Sequence, residues 1–218
     1  MIAFRAAIAG AVFFAGVQAA GATGVTYSSI YFPDGDVSFA DQVVNYSPSA
    51  ALAGTSGGCI DSSLALGAPD HTSGDCQGYV SLGEGGSITL KFTDNALTTS
   101  GDNTPDLHVF EIGSAVESFQ VEISTNGSSW IDFGYLDGQP TSIDIDANPF
   151  VTAFEKYYFV RLTDNGNSGP HSGVFAGADI DAVGAISSTA PAIPLPATGI
   201  LLVAGLAGIG ALKRRRAA

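Results

Sequence analysis

The chain has 218 residues, 21 Asp and Glu against eight Lys and Arg, and two cysteines. With a sequence isoelectric point near 4.2, it repels the phosphates of nucleic acid and of anionic lipid, which excludes a nucleic-acid-binding role carried by a basic surface. The length between the two terminal signals described below suits one domain with a single substantial core.

Residues 1–22 have the pattern of a secretory signal peptide. Arg5 supplies the positive start, Ile8 to Val17 the apolar centre, and Val17-Gln18-Ala19 or Ala20-Gly21-Ala22 a small-residue cleavage step. Without this leader and the basic tail, the middle of the chain keeps Lys91, Lys156 and Arg161 against all 21 acids, a formal charge near −18. Such a surface suits divalent cations, neutral glycans or a salty medium, and also plain solubility.

From Val25 onward, short apolar or alternating runs are cut by Gly, Asp, Asn and Pro, the mark of strands and turns. The predicted strands are Val25 to Phe32, Gln42 to Tyr46, Ser87 to Phe92, Leu107 to Ile112, Ser118 to Ser124, Trp130 to Tyr135, Ser142 to Ile145, Lys156 to Leu162 and Ile180 to Ile186. With almost no helical periodicity, they make residues 23–187 an all-β domain, a β-sandwich. Alternation puts Ile88, Leu90 and Phe92 in the core. Val121, Ile123, Trp130 and Phe133 follow the same logic across a turn at Asn126-Gly127, and Tyr158, Val160 and Leu162 share a face. His108, between Leu107 and Val109, is expected to point outward into solvent. Cys59 and Cys76 are read as a disulfide, since an even count in an exported chain means cross-linking and a metal pair would lack further His or Cys ligands.

Several stretches carry a resemblance. They are Ala65-Leu66-Gly67-Ala68-Pro69-Asp70, Pro105 to Glu111, Val121 to Trp130, Tyr158 to Asp164 and Gly177 to Ile186. Together they make the chain similar to bacterial cell-surface domains built as galactose-binding-like, discoidin-like jelly rolls. Asn126 stands where that pattern more often has Asp, which leaves the turn intact.

Residues 188–194 read as a Pro/Ser/Ala linker, and 193–218 as a C-terminal sorting signal with a transmembrane helix. Gly199 to Leu212 is uncharged and apolar but shorter than the roughly 20 residues a bilayer helix needs; counting back to Ile193 supplies the length, with Pro194 and Pro196 in the first turn. Lys213 and Arg214, Arg215 and Arg216 would hold the end on the cytoplasmic side. The tail resembles the signals of exosortase-processed surface proteins, the PEP-CTERM class, in the VPLPA variant written here Ile193-Pro194-Leu195-Pro196-Ala197. That resemblance implies an envelope processing enzyme as partner and a membrane-anchored precursor that ends at the cell surface or in the extracellular matrix of a Gram-negative bacterium. Leu195-Pro196-Ala197-Thr198-Gly199 also satisfies the LPxTG pattern of sortase substrates, which would instead mean attachment to peptidoglycan.

Asp179 and Asp181, two apart on one strand, are expected to face one way and offer two hard oxygen donors. Asp102, Asp106 and Glu111 could join them, and resemblance to jelly-roll binding domains implies a structural calcium ion there. Asp34 with Asp36 and Asp144 with Asp146 read as surface pairs. His71, His108 and His171 fit no metal-helix or nucleophile-elbow pattern. The functional expectation is a non-catalytic surface protein that binds or organises polysaccharide, with Tyr27, Tyr31, Tyr46, Tyr79 and Tyr135 available as sugar platforms. The alternative is a glycan-active hydrolase on the same kind of sandwich, which two carboxylates would suffice to build.

Overall fold

The computed structural model describes residues 23–55, 57–74, 76–113, 115–167 and 173–188. Eleven strands are present: β1 (Val25–Tyr27), β2 (Ile30–Phe32), β3 (Gln42–Ser47), β4 (Val80–Ser81), β5 (Ser87–Lys91), β6 (Leu107–Ile112), β7 (Phe119–Ser124), β8 (Ile131–Leu136), β9 (Thr141–Ile143), β10 (Phe159–Asp164) and β11 (Asp179–Ala185). A five-stranded sheet has the order β3-β5-β10-β7-β8, a four-stranded sheet the order β4-β11-β6-β9, and β1-β2 forms a separate hairpin. Every pairing is antiparallel.

The core follows from alternation. Ile88 and Leu90 of β5, Val121 and Ile123 of β7 and Val160 and Leu162 of β10 meet Leu107, Val109, Ile180 and Val183 of the facing sheet, all buried. The outer face of the four-stranded sheet is covered as well: Phe32 and Phe39 pack on Phe110 and Ala182. Gly184 makes that layer possible, because a Cβ there would stand 2.6 Å from Phe39 and 2.8 Å from Phe32. Thus β6 is buried on both faces, and Leu107–Ile112 shows no exposed side. His108 is therefore not solvated. It is 4 % exposed beneath Phe32, its Nδ1 lies 2.9 Å from Ser142 Oγ, and burial pulls its pKa down to about 4.

Several expectations need correction. The jelly roll does not form: no sheet closes on itself, and both remain open. β4 has two residues and β9 three, too short to carry the ladder from one sheet round to the other. The predicted strand over 25–32 is two strands, turned at Ser28 and Ser29 with φ of 46° and 69°. Trp130 is half-buried, with the Arg161 guanidinium 4.2 Å from its ring, while Arg161 forks onto Glu122.

The transmembrane helix and the membrane-anchored precursor are corrected likewise. Among the described residues no helix is long and apolar enough to cross a membrane; the helical pieces are 3-10 turns of three or four residues. What stands is an all-β domain with the Cys59–Cys76 disulfide. The leader 1–22 and the tail 193–218, with Pro194, Leu195, Pro196, Ala197, Arg214, Arg215 and Arg216, lie outside the described residues, as does His171. Of the stretch read as linker, Ser188 is tied to the domain by a bridge to Leu97 and by its hydroxyl, which donates to Asp34 at 2.7 Å.

Candidate functional site

Two places gather polar chemistry, at opposite ends of β6. At its start, Asp106 is fully buried and staples three segments. Its Oδ1 accepts from Ser100 N at 2.8 Å, its Oδ2 from Ile145 N at 3.0 Å, and its own carbonyl from Ile186 N at 2.7 Å. Pairing of β6 with β9 brings the following turn, Ile145–Ala147, alongside. One carboxylate oxygen from each of Asp106, Asp144 and Asp146 then lies within 4.8 Å of the others. Asp146 Oδ2 accepts from Gly101 N at 3.0 Å, which holds the loop around the cluster. Asp144 Oδ1 is buried with no hydrogen-bond partner. Carboxylate oxygens keep spare lone pairs after accepting one N–H each, so this set can coordinate a divalent cation, and the orphaned Asp144 oxygen fits that use.

The five residues expected to share one cation are divided. Asp106 belongs to the cluster. Asp102 is spent locally, its Oδ1 accepting from Thr104 N at 2.8 Å and from Thr104 Oγ1 at 2.6 Å, and these bonds lower its pKa. Glu111 and Asp179 lie at the far end of the same antiparallel pair, where Ile180 opposes Glu111. Asp179 and Asp181 do not act as one pair, because the register shifts between Ile180 and Ala182. Asp179 couples to Glu111 and Tyr46, whereas Asp181 couples to Asp70 and His71.

That far end holds a cleft of about 470 Å³ between the β1-β2 hairpin, Pro69, β6 and the Gln139-Pro140 step. Tyr27 and Phe110 give it apolar walls, and His71, Gln139, Asp181 and Glu111 give it polar ones. Tyr27 is held from behind, its hydroxyl donating to Asp36 at 2.8 Å. The His71 ring donates through Nδ1 to the Gln77 carbonyl at 2.6 Å, since a carbonyl can only accept. Asp181 Oδ1 accepts from Asp70 N at 3.1 Å across 111 residues of sequence, which joins two of the stretches that carried the resemblance. Burial raises Asp181 to about 6, against the opposing effect of the Asp70 and His71 backbone N–H groups. Burial also raises Glu111 to about 8, with Glu117 and Asp179 adding to the shift and the neighbouring Gln139 amide opposing it.

Many other acids brace loops. Asp164 accepts from Gly85 N, Gly166 N and Ala178 N at 2.9, 2.8 and 2.9 Å, and Asp41 accepts from Thr93 N at 2.7 Å. Of the expected platforms, Tyr27 lines the cleft and Tyr79 is buried against His71. Tyr46 donates to the Ser81 carbonyl at 2.6 Å and is pushed up to about 12 by burial. Tyr31 and Tyr135 are exposed elsewhere. The residues that sequence reasoning did not assign to a site are Gln139 and His71 in the cleft and Asp144 and Asp146 in the cluster. The Asp-Ile-Asp spacing was the one signal for the last two.

Fold and sites define the class: a two-sheet antiparallel all-β domain with one disulfide and a three-carboxylate cluster able to hold a divalent cation. No protein-family model and no curated protein matches the chain. Among solved structures, the chain is similar at 12% identity to a family 89 glycoside hydrolase from Clostridium perfringens, in complex with 2-acetamido-1,2-dideoxynojirmycin. The likeness covers 72% of this chain and 16% of that one with a TM-score of 0.32, so this chain spans about a sixth of that protein's length and takes no assignment from it.

Proposed function

We propose that this domain binds carbohydrate in the cleft between the β1-β2 hairpin and β6, with a calcium ion at Asp106, Asp144 and Asp146 bracing the loops at the other end. The observation that carries the reading is the cleft's composition: Tyr27 for the apolar face of a sugar ring, beside Gln139 and Asp181 for its hydroxyls. Calcium suits the cluster because all three donors are hard oxygens, and because it tolerates ligands already tied to backbone N–H groups better than magnesium, which demands a near-ideal octahedron. Affinity electrophoresis through gels containing neutral, acidic and basic polysaccharides tests the reading. Retardation in at least one gel, weakened by a chelator, is expected; free migration in all of them would refute it.

A second reading, hydrolysis of a glycan, is supported by Glu111, which burial keeps protonated at neutral pH as a general acid must be. Binding is preferred because Asp181, the other cleft carboxylate, has Asp70 and His71 as its electrostatic neighbours rather than Glu111. Release of reducing ends by the wild type and its loss in Glu111→Gln would reverse that preference.

A further inference from the structure

Two carboxyls, Glu111 and Asp181, line the cleft beside one histidine, His71. Glu111 is 2 % exposed and lines the cleft, and neither of its carboxyl oxygens has a partner in hydrogen-bonding geometry, although the Gln139 amide and the Asp179 N–H lie near enough to favour its charged form. The nearest amide, that of Gln139, donates instead to the carbonyls of Gly113 and Ala115 at 3.4 and 3.0 Å. Gly113 lies beside the acid: a Cβ there would stand 3.7 Å from Glu111 Oε1, at ordinary contact distance. A buried carboxyl with two unpartnered oxygens is costly, and here it lies just beneath the cleft wall that Glu111 helps to form.

The charged groups around Glu111 are all of one sign. Glu117, from the loop before β7, and Asp179 of β11 face it, while Asp181 stands across the cleft with Asp70 and His71. None of the domain's Lys or Arg residues lines the space. The field therefore selects a cation. A bare metal ion is the poorer fit, because among the described residues only Asp106, Asp144 and Asp146 bring three donor atoms within 4.8 Å of one another. Acids that are spread along a cleft match an extended organic cation instead.

We propose that the cleft binds a ligand bearing a primary ammonium and, resting on the carbohydrate reading above, that this ligand is a glycan containing an unacetylated amino sugar. The ammonium approaches over Gly113 and donates to the two bare oxygens of Glu111, and the sugar ring packs against Tyr27. An ammonium carries three donors, enough for both oxygens and one further acceptor. Because Glu111 is largely protonated at neutral pH before binding, forming the ion pair releases its proton to solvent.

Isothermal titration at pH 7 in two buffers of different ionisation enthalpy tests this with three probes: a β-1,4-linked glucosamine tetramer with free amines, the same tetramer fully N-acetylated, and spermidine. The free-amine tetramer is expected to bind roughly tenfold tighter than the acetylated one, with proton release of up to about one per complex. Glu111→Gln should remove that advantage and the proton release together. Equal or tighter binding of the acetylated tetramer would overturn the ammonium site and leave the carbohydrate reading standing. Binding of spermidine with neither tetramer bound would keep the ammonium site and remove the amino-sugar assignment. Silence from all three probes would overturn the ammonium site, while the carbohydrate reading is decided by the polysaccharide gels. The proton count is read on the wild type, so the test does not depend on how well Glu111→Gln folds.

Discussion

Calcium at the Asp106, Asp144 and Asp146 cluster should be visible as thermal stability. The perturbation is to exchange a chelator for 10 mM calcium chloride with the native chain. Extracellular calcium modules bind with dissociation constants of about 10⁻⁴ to 10⁻³ M, so 10 mM is roughly 10 to 100 times the constant. A ligand that binds only the folded state then adds about 1.4 to 2.7 kcal/mol. For a domain of this size, 1 kcal/mol moves the midpoint by roughly 2 to 4 °C, so a rise of about 3 to 10 °C is expected in differential scanning calorimetry. Asp144→Asn should abolish most of the rise, because it takes a charge from the cluster at the residue whose Oδ1 has no other partner. It should cost the chelated protein little. Identical midpoints with calcium and with chelator would refute the assignment, and an unchanged shift in Asp144→Asn would move the ion elsewhere.

Other outcomes follow from single interactions. Glu111 has a folded pKa of about 8, above its ordinary 4.5, so the stability tied to its neutral form is complete below 4.5 and is lost as pH rises toward 8. Urea unfolding should show wild-type stability falling between pH 5 and 8, by up to ~1.4 kcal/mol per unit, with a flatter profile in Glu111→Gln; parallel profiles would exclude the shift. Arg161→Lys should cost about 1 kcal/mol in the same assay, since Lys loses both the fork on Glu122 and the stacking on Trp130, the value being small because the Arg side chain is 34 % exposed. A shift in Trp130 fluorescence should accompany it. Replacing Cys59 and Cys76 by serine should cost about 3 kcal/mol in chemical denaturation, from loop closure over a sequence separation of 17.

Where burial is one-sided, the strands were readable. Ile88, Leu90 and Phe92 alternate with polar residues and are all buried as alternation requires. The same rule misled at His108, because the cover on the outer face comes from Phe32 and Phe39, some seventy residues earlier in the chain. β4 was missed because its two residues are too few to show a period. The hairpin at Ser28 and Ser29 was missed because two serines occupy the positive-φ positions that glycine or asparagine usually mark. At the sites the limit is different. Counting in twos put Asp179 and Asp181 on one face, and a bulge between Ile180 and Ala182 changed their neighbours. The cation cluster depends on the register Leu107 to Ile143, which sets Asp106 beside Asp144 across 38 positions. No local spacing encodes that register, so Asp144 and Asp146 looked like one more surface pair. The cleft likewise depends on Asp70 meeting Asp181, a contact that only the closed fold creates.

The central claim is that the cleft beside Tyr27 receives a sugar. Titration of the isotope-labelled domain with a retained oligosaccharide, followed by amide and side-chain chemical shifts, tests it most directly. The account predicts saturable shifts concentrated at Tyr27, His71, Gly113, Gln139 and Asp181, with Tyr27→Ala abolishing them while the remaining spectrum stays folded. Shifts centred instead on the exposed Phe150 and Phe154, or none at all at saturating ligand, would contradict it.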